Sequence, residues 1–224
     1  MKKQNLVFRV LIVVSFWAPF MGALIFLPAW TFNFWQGWLY LGTFFIPMFF
    51  VMIYMLRHER KLLEKRLHVK EKREPQSIIQ IFNTFLFLAL LIIAGLDHRF
   101  GWSNVPVWLV IVSAFIMLIG YMSFIGTMIH NAYASRVIEI QKGQKVVDTG
   151  PYAIVRHPMY VTGIVLYIPM PLVLGSFWAL IPMLFIPFML VLRILDEEKV
   201  LISDLKGYRA YVKKVKYRLI PFVW

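Results

Sequence analysis

The chain has 224 residues, of which 60% are apolar, 17% aromatic and only 16% charged. Soluble domains run at roughly 45–50% apolar and about 25% charged, so this excess points to lipid as the solvent. There is no cysteine, which excludes disulfides, thiolate metal sites and a cysteine nucleophile.

The start Met1-Lys2-Lys3 is followed by an apolar run that continues to residue 30 without the small-residue pattern of a cleavable leader, so it reads as a span. Lys2 stands where myristoylation needs glycine, and no cysteine can carry a prenyl group. A bilayer core takes about 20 apolar residues as a helix. Four stretches qualify: 10–30, 37–56, 77–96 and 107–129. Trp30, Trp35 and Trp38 cluster about the first connection, as expected of an interfacial aromatic belt.

The formal charge is +13. If the four spans alternate, Arg99 is the single cation on one side and the other 23 of the 24 lie opposite. The excess of Lys and Arg in cytoplasmic loops then predicts that both termini and both long polar segments are cytoplasmic. Basic residues that follow membrane edges rather than one face do not suit nucleic-acid binding. The charged stretch 57–76 reads as a solvated, helical cytoplasmic connector.

Residues 161–192 carry no charge and are interrupted by Pro169, Pro171, Pro182 and Pro187. Both flanks are basic, so a re-entrant helix hairpin turning near Leu174-Gly175-Ser176 is expected. Its arms would be about 21 and 25 Å long. The predicted fold is therefore all-α: a polytopic membrane helical bundle of four full spans, a C-terminal re-entrant hairpin and a cytoplasmic amphipathic tail. Residues 1–129 would form the spans, with the basic loop 57–76, and 130–224 the chemically active region.

Two polar clusters stand out. In the first, Asp148-Thr149-Gly150-Pro151 is turn chemistry, and Pro158 suits the first turn of the next helix. Tyr152, Arg156, His157 and Tyr160 then gather at a helix start on the membrane surface. The second is Arg193-Ile194-Leu195-Asp196-Glu197-Glu198, where the last apolar stretch ends. Arg193 and Glu197 are four apart and share a helix face. Charges at a membrane edge are functional candidates, and the hairpin would return this cluster to the face that carries His157. The tail, from Gly207-Tyr208-Arg209-Ala210-Tyr211 to Trp224, alternates basic and aromatic residues and suits docking at the membrane interface.

The combination GPYAIVRHPMY, a hydrophobic hairpin, an arginine four before the first glutamate of DEE, and GYRAYVKKVKYRLIPFVW resembles the isoprenylcysteine carboxyl methyltransferase family and the related phospholipid methyltransferases. The resemblance covers about residues 130–224. It implies an integral membrane methyltransferase dependent on S-adenosylmethionine. It also implies a lipophilic or small acceptor: a prenylcysteine-like carboxylate, a thiol or a lipid headgroup. By the same resemblance, Gln144, Lys145, Val146 and Val147 would meet the adenosyl group largely through their backbone, with Gln144 where the family usually has histidine. Tyr152, Arg156, His157, Pro158, Met159, Tyr160, Glu197 and Glu198 would complete the cofactor site. Arg193 would face the acceptor, and Arg193 and Glu197 would be the catalytic pair.

These assignments suit the chemistry. A carboxylate such as Glu197 fits an ammonium or ribose, aromatics such as Tyr152 and Tyr160 can face a cation, and helix-start N–H groups with His157 fit a carboxylate. Methyl transfer requires alignment and exclusion of water rather than a strong base. Integral membrane sterol reductases, which use NADPH, share an RHP-like motif, an acidic pair and a basic-aromatic tail. Met159 and Ile164 stand where those reductases tend to have other residues, which favours the methyltransferase. A non-enzymatic membrane protein is the remaining alternative. His58, His68, His98 and His130 show no metal-ligand spacing, and no metal is expected.

Overall fold

A computed structural model describes residues 3–67, 73–134, 137–138 and 140–224. Lys2, His68, Lys70, Lys72 and Arg136, together with the side chains of Lys3, Arg9 and Lys65, lie outside what is described. The chain forms α1 (Lys3–Ala29), α2 (Trp35–His58), α3 (Arg60–Leu67), α4 (Glu74–Phe100) and α5 (Val107–His130). After a long loop and a 3-10 turn at Gly150–Ala153 come α6 (Pro158–Tyr167), α7 (Met170–Val173), α8 (Leu180–Met183), α9 (Phe185–Asp204) and α10 (Tyr208–Lys214). No strand occurs among the described residues, and the architecture is all-helical.

Three helices, α2, α4 and α5, are long and apolar enough to cross a membrane, and α1 is apolar over its described stretch Ser15–Ala29. Their outer faces are apolar as well: Phe50, Ile81, Phe85, Phe115, Ile119 and Met122 are each at least 62% exposed. A continuous apolar surface of this kind is costly in water and matches lipid. Where helices meet, small residues let backbones approach. A Cβ on Gly120 of α5 would come within 2.6 Å of the Leu166 nitrogen on α6, and one on Gly95 of α4 would strike the Ile25 carbonyl of α1.

Strong packing runs from α9 to α4, α1, α2, α5 and then α6. The core lies along this path, with Ile25, Tyr40, Leu90, Met117 and Met170 fully enclosed.

Segment 161–192 doubles back. At one end, the Ser176 hydroxyl bonds the buried carboxylate of Asp97, which also accepts from the Ser103 amide at 2.7 Å. At the other, Asp196 accepts from Gln76 at 2.6 Å and from Arg73 at 2.8 Å. The turn thus reaches the end of α4 that carries Asp97, while α9 returns to the end where α4 begins. Helix α9 continues past the uncharged stretch, through Arg193 and Asp196 to Asp204.

Two further expectations change. The connector 57–76 is more than a solvated strip: Leu62 and Leu63 are buried against Leu6, Met55, Met128 and Ala134, and Arg73 and Gln76 anchor α9. The tail folds onto the protein, with Leu205, Tyr208, Tyr211 and Val215 in a core of their own beside Ile140 and Val146.

Candidate active site at the mouth of a deep cavity

Pro158 opens α6 at a position where no N–H is needed, so His157 caps the helix and Tyr160 lies just inside it. The tail completes this corner: the Arg156 amide bonds the Tyr217 carbonyl at 2.9 Å, and the His157 amide bonds the Arg218 carbonyl at 3.0 Å. Three donors meet at Glu198. Arg156 Nε is 2.6 Å from Oε1, His157 Nε2 is 3.2 Å from the same oxygen, and Arg218 Nε is 2.8 Å from Oε2. Arg156 Nη1 also donates to the carbonyls of Val215 at 2.9 Å and Lys216 at 2.7 Å. Arg156, His157 and Glu198 are all at least 94% buried. Burial alone would raise the Glu198 pKa, but the bonds from His157, Arg156 and Arg218 together outweigh it and hold the carboxyl down at about 2. A charge taken from water needs such partners, and here they tie α6, α9 and the tail together.

One turn away the arrangement differs. The Tyr160 hydroxyl donates to Glu197 Oε2 at 2.6 Å and accepts from Arg193 Nε at 2.9 Å. The pair that sequence spacing sets on one face of α9 is therefore bridged by a tyrosine of α6.

These groups line a cavity of about 650 Å³. Its polar end is walled by Gln144, Lys145, Val146, Val147, Tyr152, Arg156, His157, Met159 and Tyr160, with Arg193 and Glu197 beside them. Of the candidate residues, Pro158 and Glu198 do not line it. Tyr152 is fixed on both sides: its hydroxyl accepts from Asn131 Nδ2 at 3.1 Å, and its carbonyl accepts from the Tyr211 hydroxyl at 2.7 Å. Gln144 turns its side-chain oxygen onto the Gln141 amide at 2.9 Å, which holds the loop. The same cavity is also lined by the apolar Ile164, Ile168, Ile186 and Leu190 and by Trp17 of α1 and Phe44 of α2.

Sequence reasoning missed several wall residues. Tyr208 and Tyr211 lie in the tail, which was assigned to the membrane surface, yet both line the cavity. The Tyr208 hydroxyl is buried with no hydrogen-bond partner among the described residues. Arg66 of α3 also reaches the wall, its guanidinium 5.7 Å above the Phe124 ring. The GYRAY pattern was the available signal for the two tyrosines; for Arg66 there was none.

The described residues thus form a helical bundle with three helices fit to cross a membrane and a cavity lined by both polar and apolar side chains. The profile of the isoprenylcysteine carboxyl methyltransferase (ICMT) family matches residues 107–203, from the start of α5 almost to the end of α9. The resemblance carried by the motifs thus stands, and it implies a membrane methyltransferase. None of the curated proteins matches the chain.

Proposed function

We propose that this protein is an S-adenosylmethionine-dependent methyltransferase of the membrane, whose acceptor is a lipophilic or small molecule bearing a carboxylate, a thiol or a lipid headgroup. The observation that supports this reading is a cavity that is polar and tyrosine-lined beside the 144–147 loop and otherwise walled by apolar side chains of the bundle.

The residues at the polar end fit the cofactor. The loop 144–147 lies along the wall, where backbone groups suit an adenosyl moiety. The partnerless Tyr208 hydroxyl has a hydrogen bond to give, which a ribose or a ring nitrogen would take. Glu197 suits the ammonium, and Tyr152 and Tyr160 present rings to a cation. When bound, the cofactor supplies a methyl group on a sulfonium, ready for direct displacement. The chain's part is to align the acceptor and keep water out. Tyr160 holds Arg193 and Glu197 in register, and Arg193 grips an anionic acceptor with a planar, charge-assisted pair of bonds. Glu198 stands outside the cavity wall and fixes Arg156 and His157, which line it and meet the cofactor.

In this reading α1, α2, α4 and α5 are four full spans, and the arms of 161–192 enter from the cytoplasmic side. Both termini and the cavity mouth face the cytoplasm, since cations dominate that end. The exposed Trp30, Trp35, Trp38, Trp102 and Trp178 mark the opposite interface. The test is methyl transfer from labelled S-adenosylmethionine to a panel of carboxylate, thiol and headgroup acceptors in nanodiscs. Label in one class names the acceptor; label in none, with the cofactor demonstrably bound, refutes the acceptor assignment.

A further inference from the structure

The apolar end of the cavity is not wholly apolar. Gln80, Asn83 and Thr84 of α4 line it together with Phe87 and Leu88. Their spacing of three, four, seven and eight residues puts them on one helix face. Asn83 stands nine residues into α4, about 14 Å from its start, within a helix long and apolar enough to span a membrane. An amide at that depth is expensive in hydrocarbon and needs a partner. Yet the Asn83 side-chain oxygen is buried with no hydrogen-bond partner among the described residues. Thr84 is turned back onto its own helix, donating to the Gln80 carbonyl at 2.8 Å. The structure therefore leaves Asn83 with an unmade bond on the cavity wall. In this rotamer the oxygen is shielded from the cavity; turning the amide about its terminal torsion, which is broad for asparagine, would present it to a ligand.

The depth of this group relative to the reaction centre follows from two antiparallel helices. Gln76 of α4 meets Asp196 of α9 at 2.6 Å, which sets the register. Arg193 lies about 4.5 Å deeper than Asp196, and Asn83 about 10.5 Å deeper than Gln76. Asn83 thus sits about 6 Å beyond Arg193 along the cavity.

We infer that Asn83 is a specificity residue for the acceptor. The preferred acceptor is an amphiphile that carries a hydrogen-bond donor, an amide N–H or a hydroxyl, about 6 Å from its reacting head, rather than a plain hydrocarbon chain. A plain chain would leave the Asn83 oxygen unsatisfied on a dry wall, whereas a donor at that depth satisfies it. This inference rests on the reading of the cavity's inner end as the acceptor channel.

The test uses two synthetic amphiphilic carboxylic acids of equal length. One has a saturated hydrocarbon body; the other has a secondary amide about 6 Å from the carboxylate. Binding of each to the full chain in nanodiscs is measured by the thermal shift and by titration, with and without S-adenosylmethionine. The amide acid should bind the wild type about 5- to 15-fold more tightly than the hydrocarbon acid. Asn83→Leu should abolish that preference, with cofactor affinity unchanged, and Asn83→Val is the second variant should leucine disturb packing. Equal affinity of the wild type for both acids overturns the inference, as does equal weakening of both by Asn83→Leu. Cofactor binding with neither acid bound also overturns it and leaves the cofactor site standing. Discrimination between the acids without any affinity for S-adenosylmethionine overturns the methyltransferase reading instead.

Discussion

Replacing Glu198 by glutamine separates a ligand-binding role from a scaffolding one. Glu198 lies outside the cavity wall, and its two oxygens receive Arg156, His157 and Arg218. Glutamine keeps the shape but removes the charge, so Arg156, whose side chain is 4% exposed, keeps a buried charge without its counterion. Breaking one partner of a buried pair costs about 3–5 kcal/mol. A chain of this length shifts by about 2–4 °C for each kcal/mol, so a fall of about 10 °C is expected. Arg218, with a side chain 31% exposed, keeps access to water, and Arg218→Ala should cost much less. The assay is thermal unfolding in nanodiscs alongside cofactor titration. Because the folded pKa of Glu198 lies at about 2, below the ordinary carboxylate value of 4.5, its contribution is full above about pH 4.5 and fades as pH falls toward 2. The glutamine variant should lack that acid-side loss. A variant that melts like wild type but fails to bind S-adenosylmethionine would refute the scaffolding role and place Glu198 on the ligand.

Glu197→Ala, which removes a carboxylate on the cavity wall, should weaken cofactor binding by roughly 10- to 150-fold, the worth of one charge-assisted bond, as read by calorimetry. Arg193→Ala should reduce turnover while cofactor affinity stays near wild type, and Arg193→Lys should rescue poorly because it loses the planar grip. His157→Ala should lower the melting temperature as well as cofactor affinity, since His157 is buried against Glu198. A reporter fused to the C-terminus should read out as cytoplasmic; a lumenal or periplasmic signal would contradict the orientation of the hairpin.

Helices α2, α4 and α5 were legible because length and hydropathy fix them: a run of twenty apolar residues in lipid has few alternatives to a helix. The two polar clusters were legible because Pro158 and the 193–198 stretch mark helix boundaries in their local sequence. What joins them was not. The partners of Glu198 lie 20, 41 and 42 residues away, and nothing in the spacing of Arg156 or Arg218 reveals a shared carboxylate. The tail has the composition of a membrane-surface segment, but its tyrosines pack against Ile140 and Val146. The connector was read from its charge, while the packing of Leu62 and Leu63 decides where it lies. Asn83 escaped notice because a search for charges within spans passes over neutral amides.

The most direct measurement is equilibrium binding of S-adenosylmethionine and of NADPH to the purified chain in nanodiscs, by calorimetry on wild type and on Glu197→Ala and Tyr208→Phe. The account predicts saturable binding of S-adenosylmethionine by the wild type, weakened in both variants, and none of NADPH. Tight NADPH binding without affinity for S-adenosylmethionine would contradict it.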